Sequence, residues 1–161
     1  MSRLRTSILA AIVVALVAAA GALALPSKTV VFSGTFTGQS SVKIDGTTAT
    51  IAATGAGKST IGAGKIIGNG TGDSSQQPCV PFGGTGTITG TGGTITFKLA
   101  SGASGCGDEG GHTFAITAHL TVLKVTGKLA KAKGTLKLTG VYNHDDGSFS
   151  VKVSGNLTKP K

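Results

Sequence analysis

The chain contains no tryptophan, a single tyrosine and a single methionine, and with six phenylalanines its aromatic content is only 4%. Successive bases of a single strand need aromatic platforms on which to stack, and few are present. Arginine is absent after Arg5. The bidentate forks that read guanine or grip phosphate are therefore missing, because lysine acts as a hydrated point charge. Specific nucleic-acid recognition is thus not expected. No Gly-x-Ser-x-Gly elbow singles out a nucleophile among the many Ser and Thr residues. The two cysteines, Cys79 and Cys106, lack the close Cys-x-x-Cys spacing of redox and zinc sites. From Pro26 onward nothing carries a helical period, and no fixed repeat length points to a solenoid.

One long apolar run is present, at the start. Arg3 and Arg5 precede an unbroken stretch from Ile8 to Leu25, with a small-residue exit at Ala22-Leu23-Ala24. A basic region, an apolar region and an Ala-x-Ala exit are the parts of a secretory signal peptide, so residues 1–24 are expected to be a cleaved leader. An uncleaved membrane anchor is the alternative reading of the same run. There is no Arg-Arg pair for a twin-arginine route, and no cysteine follows the run to carry a lipid. The expected product is a secreted, periplasmic or cell-envelope protein of one domain, residues 25–161. Removing Arg3 and Arg5 from the 15 basic residues leaves thirteen lysines against 6 acids, so the formal charge falls from +9 to +7.

Glycine is abundant, 27 of 161 residues, yet Val, Ile, Leu and Phe recur at period two, which disordered chains avoid. The clearest alternation lies in the C-terminal hairpin from Lys133 to Thr158. There Leu136, Leu138, Val151 and Val153 share one face, Lys137 and Lys152 the other, and residues 143–147 supply a reversing loop. Further strands are expected at 29–37, 41–44, 48–53, 60–67, 85–91, 94–99 and 113–125. So many strands in one domain solve the edge problem by closing or stacking. The predicted fold is all-β, a single antiparallel barrel of about eight strands, with a two-sheet β-sandwich as the alternative. Mid-strand Gly86, Gly140 and Gly155 mark places where a wall bends or a neighbour packs close.

The segment Gly127-Lys128-Leu129-Ala130-Lys131-Ala132-Lys133-Gly134, followed by Thr135–Gly140 and the strand from Gly147, resembles the C-terminal pattern of exported bacterial Gly/Thr-rich β proteins. More distantly it is similar to barrels of the allene oxide cyclase and dirigent type, in its Gly-x-Phe/Leu-x-x-Ala-x-Gly turn. The likeness covers about a quarter of the chain. Lys131 stands where those patterns have a small residue, and no catalytic residue of either family aligns. The resemblance implies a barrel and no particular reaction.

An even cysteine count in an exported chain points to a Cys79–Cys106 disulfide. Closing the loop between them should stabilise by roughly 3.5 kcal/mol in the chain-entropy model. The flanking segments, residues 68–81 and 101–111, lack alternation and read as long loops at one end of the fold. Three other signals have plain explanations. Ala52–Ser59 fits a relaxed phosphate-loop pattern, but the glycine-rich sequence after it cannot start the helix that such a loop needs, so it reads as a β-turn. Asp108, Glu109, His112 and His119 could hold a metal, but alternation puts the two histidines on opposite faces, which favours solvated loop charges. His144-Asp145-Asp146 misses the spacing of a calcium loop and reads as turn chemistry.

The functional expectation is a non-enzymatic envelope or extracellular protein, without metal or cofactor, that binds a small apolar ligand in the barrel mouth or an anionic envelope component. Lys124, Lys128, Lys131, Lys133, Lys137 and Lys152 are the candidate contacts for an anionic envelope polymer or lipid surface. The alternatives are a small cyclase-like barrel enzyme acting on a lipophilic substrate, and a structural surface protein whose lysines only keep it soluble.

Overall fold

The computed structural model describes residues 27–161, and the leader expected at 1–24 lies outside them. The strands are β1 (Ser27–Asp45), β2 (Thr48–Ser59), β3 (Gly62–Asp73), β4 (Cys79–Gly90), β5 (Gly93–Leu99), β6 (Ser104–Gly107), β7 (Thr113–Val125), β8 (Lys133–Asn143) and β9 (Ser148–Pro160). Every pairing is antiparallel, and β3–β4 and β1–β9 contacts close the sheet on itself. The result is an eight-stranded barrel with β6 as an extra short strand. β5 and β6 both pair with β4 and β7 and run the same way, so together they fill one place in the wall, interrupted at residues 100–103. Apart from the β1–β9 seam, each strand neighbours the next place in the chain.

The C-terminal hairpin has the expected register, with Lys133 opposite Thr158 and Tyr142 opposite Phe149. Leu136, Val151 and Val153 are buried while Lys137 and Lys152 face out. Three other expectations need correcting. Residues 29–37 and 41–44 are one strand, β1, because Gly38 and Ser40 simply continue its inward positions. Ala52–Ser59 is no turn but the second half of β2. Gly55 and Gly57 occupy inward positions there because aromatic rings need the space. A Cβ at Gly55 would stand 2.7 Å from the Phe149 ring, and one at Gly57 would run into the Thr35 carbonyl oxygen and meet the Phe36 ring at 2.9 Å. Gly86 serves the Phe97 ring in the same way, at 2.5 Å.

The third correction concerns residues 68–81, expected to be a loop. β3 continues to Asp73 and β4 begins at Cys79, leaving only Ser74 to Pro78 between them. Inward positions of β3 are Gly62, Gly64, Ile66, Gly68, Gly70 and Gly72, so the strand has almost no apolar alternation to read. Likewise, Ser104–Gly107 within the expected loop 101–111 is strand β6, whose backbone groups complete the wall between β4 and β7.

The two ends of the barrel differ. At one end the chain reverses at 60–61 and 91–92 and crosses from β7 to β8 through the 3₁₀ turn Gly127–Leu129. Leu129 and Ala132 from this crossing are buried against the core of Phe32, Phe36, Ile61 and Ile95, so this end is plugged. Burying a leucine of this kind contributes about 2 kcal/mol. The Lys128 amide donates to the Gly92 carbonyl and ties the plug to the β4–β5 turn. Lys131 has φ 66°, the one left-handed non-glycine among the described residues. That conformation suits glycine, which has no Cβ to clash, better than lysine.

Candidate functional site

The opposite end is open. It is framed by the β1–β2 turn (46–47), the β3–β4 loop (74–78), the β6–β7 loop (108–112) and the β8–β9 turn (144–147). β1 outruns its neighbour here: its last partner on β9 is Ser148, opposite Gln39, whereas its pairing with β2 continues to Asp45 opposite Thr48. The β1–β2 hairpin therefore overhangs the mouth and offers Val42, Ile44, Ala49 and Ile51 from its inner face. Ile44, at the lip, is 61% exposed.

Below this lip lies a cavity of ≈ 250 Å³. Ile66, Phe97 and Leu120 lie at its floor, above the plugged core, and Phe82, Phe114, Ile116, Leu138 and Phe149 contribute to its sides. Glycine creates the room. A Cβ at Gly68 would find only the Thr85 carbonyl oxygen, at 3.9 Å. No Lys, Asp or Glu lines the cavity; its polar groups include Ser40, Ser74, Gln77, Tyr142 and His144. Its accessible wall is overwhelmingly apolar, so water against the floor finds few of the two to four polar partners that hold it in a protein interior.

Tyr142 and His144 stand with Phe114 in an aromatic trio, ring centroids 6.2 to 6.3 Å apart. Partial burial, and secondarily the charge of Asp146, raise the Tyr142 phenol above its ordinary value. Tyr142 stands near the end of β8 and His144 opens the turn that follows it. Asp145 N–H donates to Asn143 Oδ1 at 2.8 Å and Ser148 N–H to Asp146 Oδ1 at 2.8 Å, which is the turn chemistry expected of 143–147.

Asp108, Glu109, His112 and His119 do not converge. His112 lies in the β6–β7 loop, and His119 is exposed on the outer face of β7. Among the described residues no three His, Cys, Asp or Glu side chains form a metal-binding group. Instead Asp108 accepts the Thr113 hydroxyl at 2.6 Å and the His112 amide at 2.9 Å, and its carboxyl is held below the usual range chiefly by that hydroxyl.

His112 Nδ1 meets Asp145 at 3.0 Å, and the His144 amide donates to the His112 carbonyl at 2.8 Å. These contacts bind two rim loops together across a long stretch of chain. The hydrogen bond with Asp145, and then its charge, raise the His112 pKa above 6.5. The stabilisation is therefore complete below the unfolded value and is lost as pH rises through the raised one. An NMR titration should place His112 above its unperturbed value, and Asp145→Asn should lower it again. Identical titration of the two proteins would mean that the pair does not persist in solution.

Cys79 and Cys106 are cross-strand partners of β4 and β6, with Sγ atoms 2.11 Å apart, in a disulfide at the open end. The candidate lysines separate into two groups. Lys124, Lys128, Lys131 and Lys133 surround the plugged end, and Lys137 and Lys152 stand outside the wall, none of them at the cavity. No protein family, curated protein or solved structure matches the chain.

Proposed function

We propose that the protein is an exported, non-enzymatic cup that carries one small apolar molecule in the open end of its barrel. The observation supporting this reading is the cavity itself. It is open to solvent at the mouth, floored by Ile66, Phe97 and Leu120, and has no Lys, Asp or Glu in its lining. Concave, mostly apolar spaces with a few convergent polar groups are the usual form of small-molecule sites. The polar groups at the rim, such as Gln77, Ser74 and His144, would orient a hydroxyl or carbonyl at one end of an otherwise hydrocarbon ligand.

The rim also selects on charge. Asp45, Asp73, Asp108, Glu109, Asp145 and Asp146 all stand in or beside the open-end turns, where the only neighbouring lysine is Lys43. A free carboxylate on the ligand would meet like charge within the ~8 Å reach of unscreened electrostatics. Native mass spectrometry of protein purified from its own culture tests the reading. The expected protein mass starts at or near Leu25, with a retained apolar molecule of one defined mass. In a displacement series, a medium-chain alcohol should compete at lower concentration than the fatty acid of equal length. Ligand-free protein that takes up neither compound would support a purely structural role, and turnover of the retained molecule would support the cyclase-like alternative.

A further inference from the structure

The charges of this barrel are sorted along its axis. All 6 Asp and Glu side chains lie at the open end. Lysines collect at the plugged end: Lys128 and Lys131 in the crossing, Lys133 at the start of β8, Lys28 at the start of β1, and Lys159 and Lys161 at the end of the chain. Lys28 and Lys159 are direct cross-strand partners. They continue the inward positions of Val30 and Leu157, which puts both over the plugged bottom. Lys159 Nζ donates to the Lys128 carbonyl at 3.1 Å, drawing a third lysine into the same cluster. Like charges placed opposite each other destabilise a sheet, and among the described residues no Asp or Glu side chain pairs with these. Among the described residues the one side-chain ion pair, His112–Asp145, is at the other end.

We infer that the plugged end is a docking site for a flexible linear polyanion, and that the barrel holds it bottom first with the mouth directed away. The lysines follow a curved path from the crossing to the β1–β9 seam, which a flexible polymer can track. A lipid bilayer fits less well, because the exposed large hydrophobic residues among those described, Val31, Ile44, Ile67, Leu123 and Val141, all lie outside the plugged-end turns. Ile61 and Leu129, which do belong to those turns, are buried in the core. Among the described residues of those turns, none offers an exposed apolar side chain to insert among acyl chains. The inference is independent of any ligand in the cup.

Binding of long-chain polyphosphate, followed by fluorescence anisotropy, tests it with two variants of equal net charge. Removing Lys128, Lys131, Lys133 and Lys159 as glutamines should weaken binding about tenfold or more at low salt, and the wild-type affinity should fall steeply with added salt through counterion release. Removing Lys43, Lys98, Lys137 and Lys152 in the same way should cost less than about threefold, since only general attraction is lost. Lysine acetylation with the polymer present should protect Lys128 and Lys159 and leave Lys43 reactive. Melting curves establish that both variants are folded. Equal weakening of the two variants, protection of Lys43, or co-sedimentation with anionic vesicles in the absence of polyphosphate binding would each overturn the inference.

Discussion

Gly68→Leu should abolish uptake of apolar molecules while leaving the melting temperature of the protein unchanged or higher. Gly68 is an inward position of β3 in the cavity wall, and its surroundings leave space for a side chain. Leucine there would occupy volume now open to a ligand, and filling an apolar cavity tends to stabilise rather than strain a core. Most inward glycines offer no such freedom: at Gly57 a Cβ would meet the backbone and ring of Phe36. Gly57→Leu should therefore unfold the barrel or lower its stability by more than about 3 kcal/mol, as overpacking of a close-packed core does. Ala53→Leu, on the neighbouring strand and also lining the cavity, provides a second filled cup. Uptake of a fluorescent apolar dye, measured beside thermal melting, separates the outcomes. Dye binding that survives in both folded, filled variants would place the ligand somewhere other than the cup.

The second large effect belongs to the disulfide. Cys79→Ala/Cys106→Ala should lower stability by roughly 3.5 kcal/mol, equivalent to a fall in melting temperature of about 10 °C for a domain of this size. The local structure gives the bond a further role. β6 has 4 residues, all paired with β7, but it meets β4 through the partners of Cys79, Val80 and Pro81 alone, so the covalent link secures its shorter edge. Gly105, between Ser104 and Cys106, lines the cavity. Losing the bond should therefore weaken dye uptake even at temperatures where the barrel remains folded. Alkylation in unreduced, native protein checks the premise, because two freely reacting thiols would show that no bond exists.

The parts of this molecule that were legible in its sequence are those in which large apolar residues mark the inner face. The hairpin of Leu136, Leu138, Val151 and Val153 announces its strands, its turn and its outward lysines. Where glycine takes the inner face the signal vanishes, as along Gly68, Gly70 and Gly72 of β3, and strand reads as loop. β6 is too short to show a period at all. The Cys79–Cys106 bond was expected from the even cysteine count and the expectation of export. Its consequence, a braced side of the cup, needs β6 to be seen. A barrel mouth was expected as the ligand site, but its lining is drawn from strands spread over the whole chain, and no local pattern joins Ile44 to Phe97 or Leu120. The same holds for His112 and Asp145, which pair across 33 positions. The basic cluster was visible only in part. Lys124, Lys128, Lys131 and Lys133 stand together in sequence, whereas Lys28 and Lys159 join them through the seam.

That seam places Ser27 opposite Pro160, with Lys161 one residue beyond, so the described chain starts and finishes side by side at the plugged end. A short linker could join the two, and the circle could be cut anew in any of the open-end turns, without one strand changing its neighbours. A handle fused after Lys161 would hold the barrel by its base. Immobilised that way, the protein presents its cup outward, and circular relatives of it could be grown from whichever hairpin a designer prefers to open.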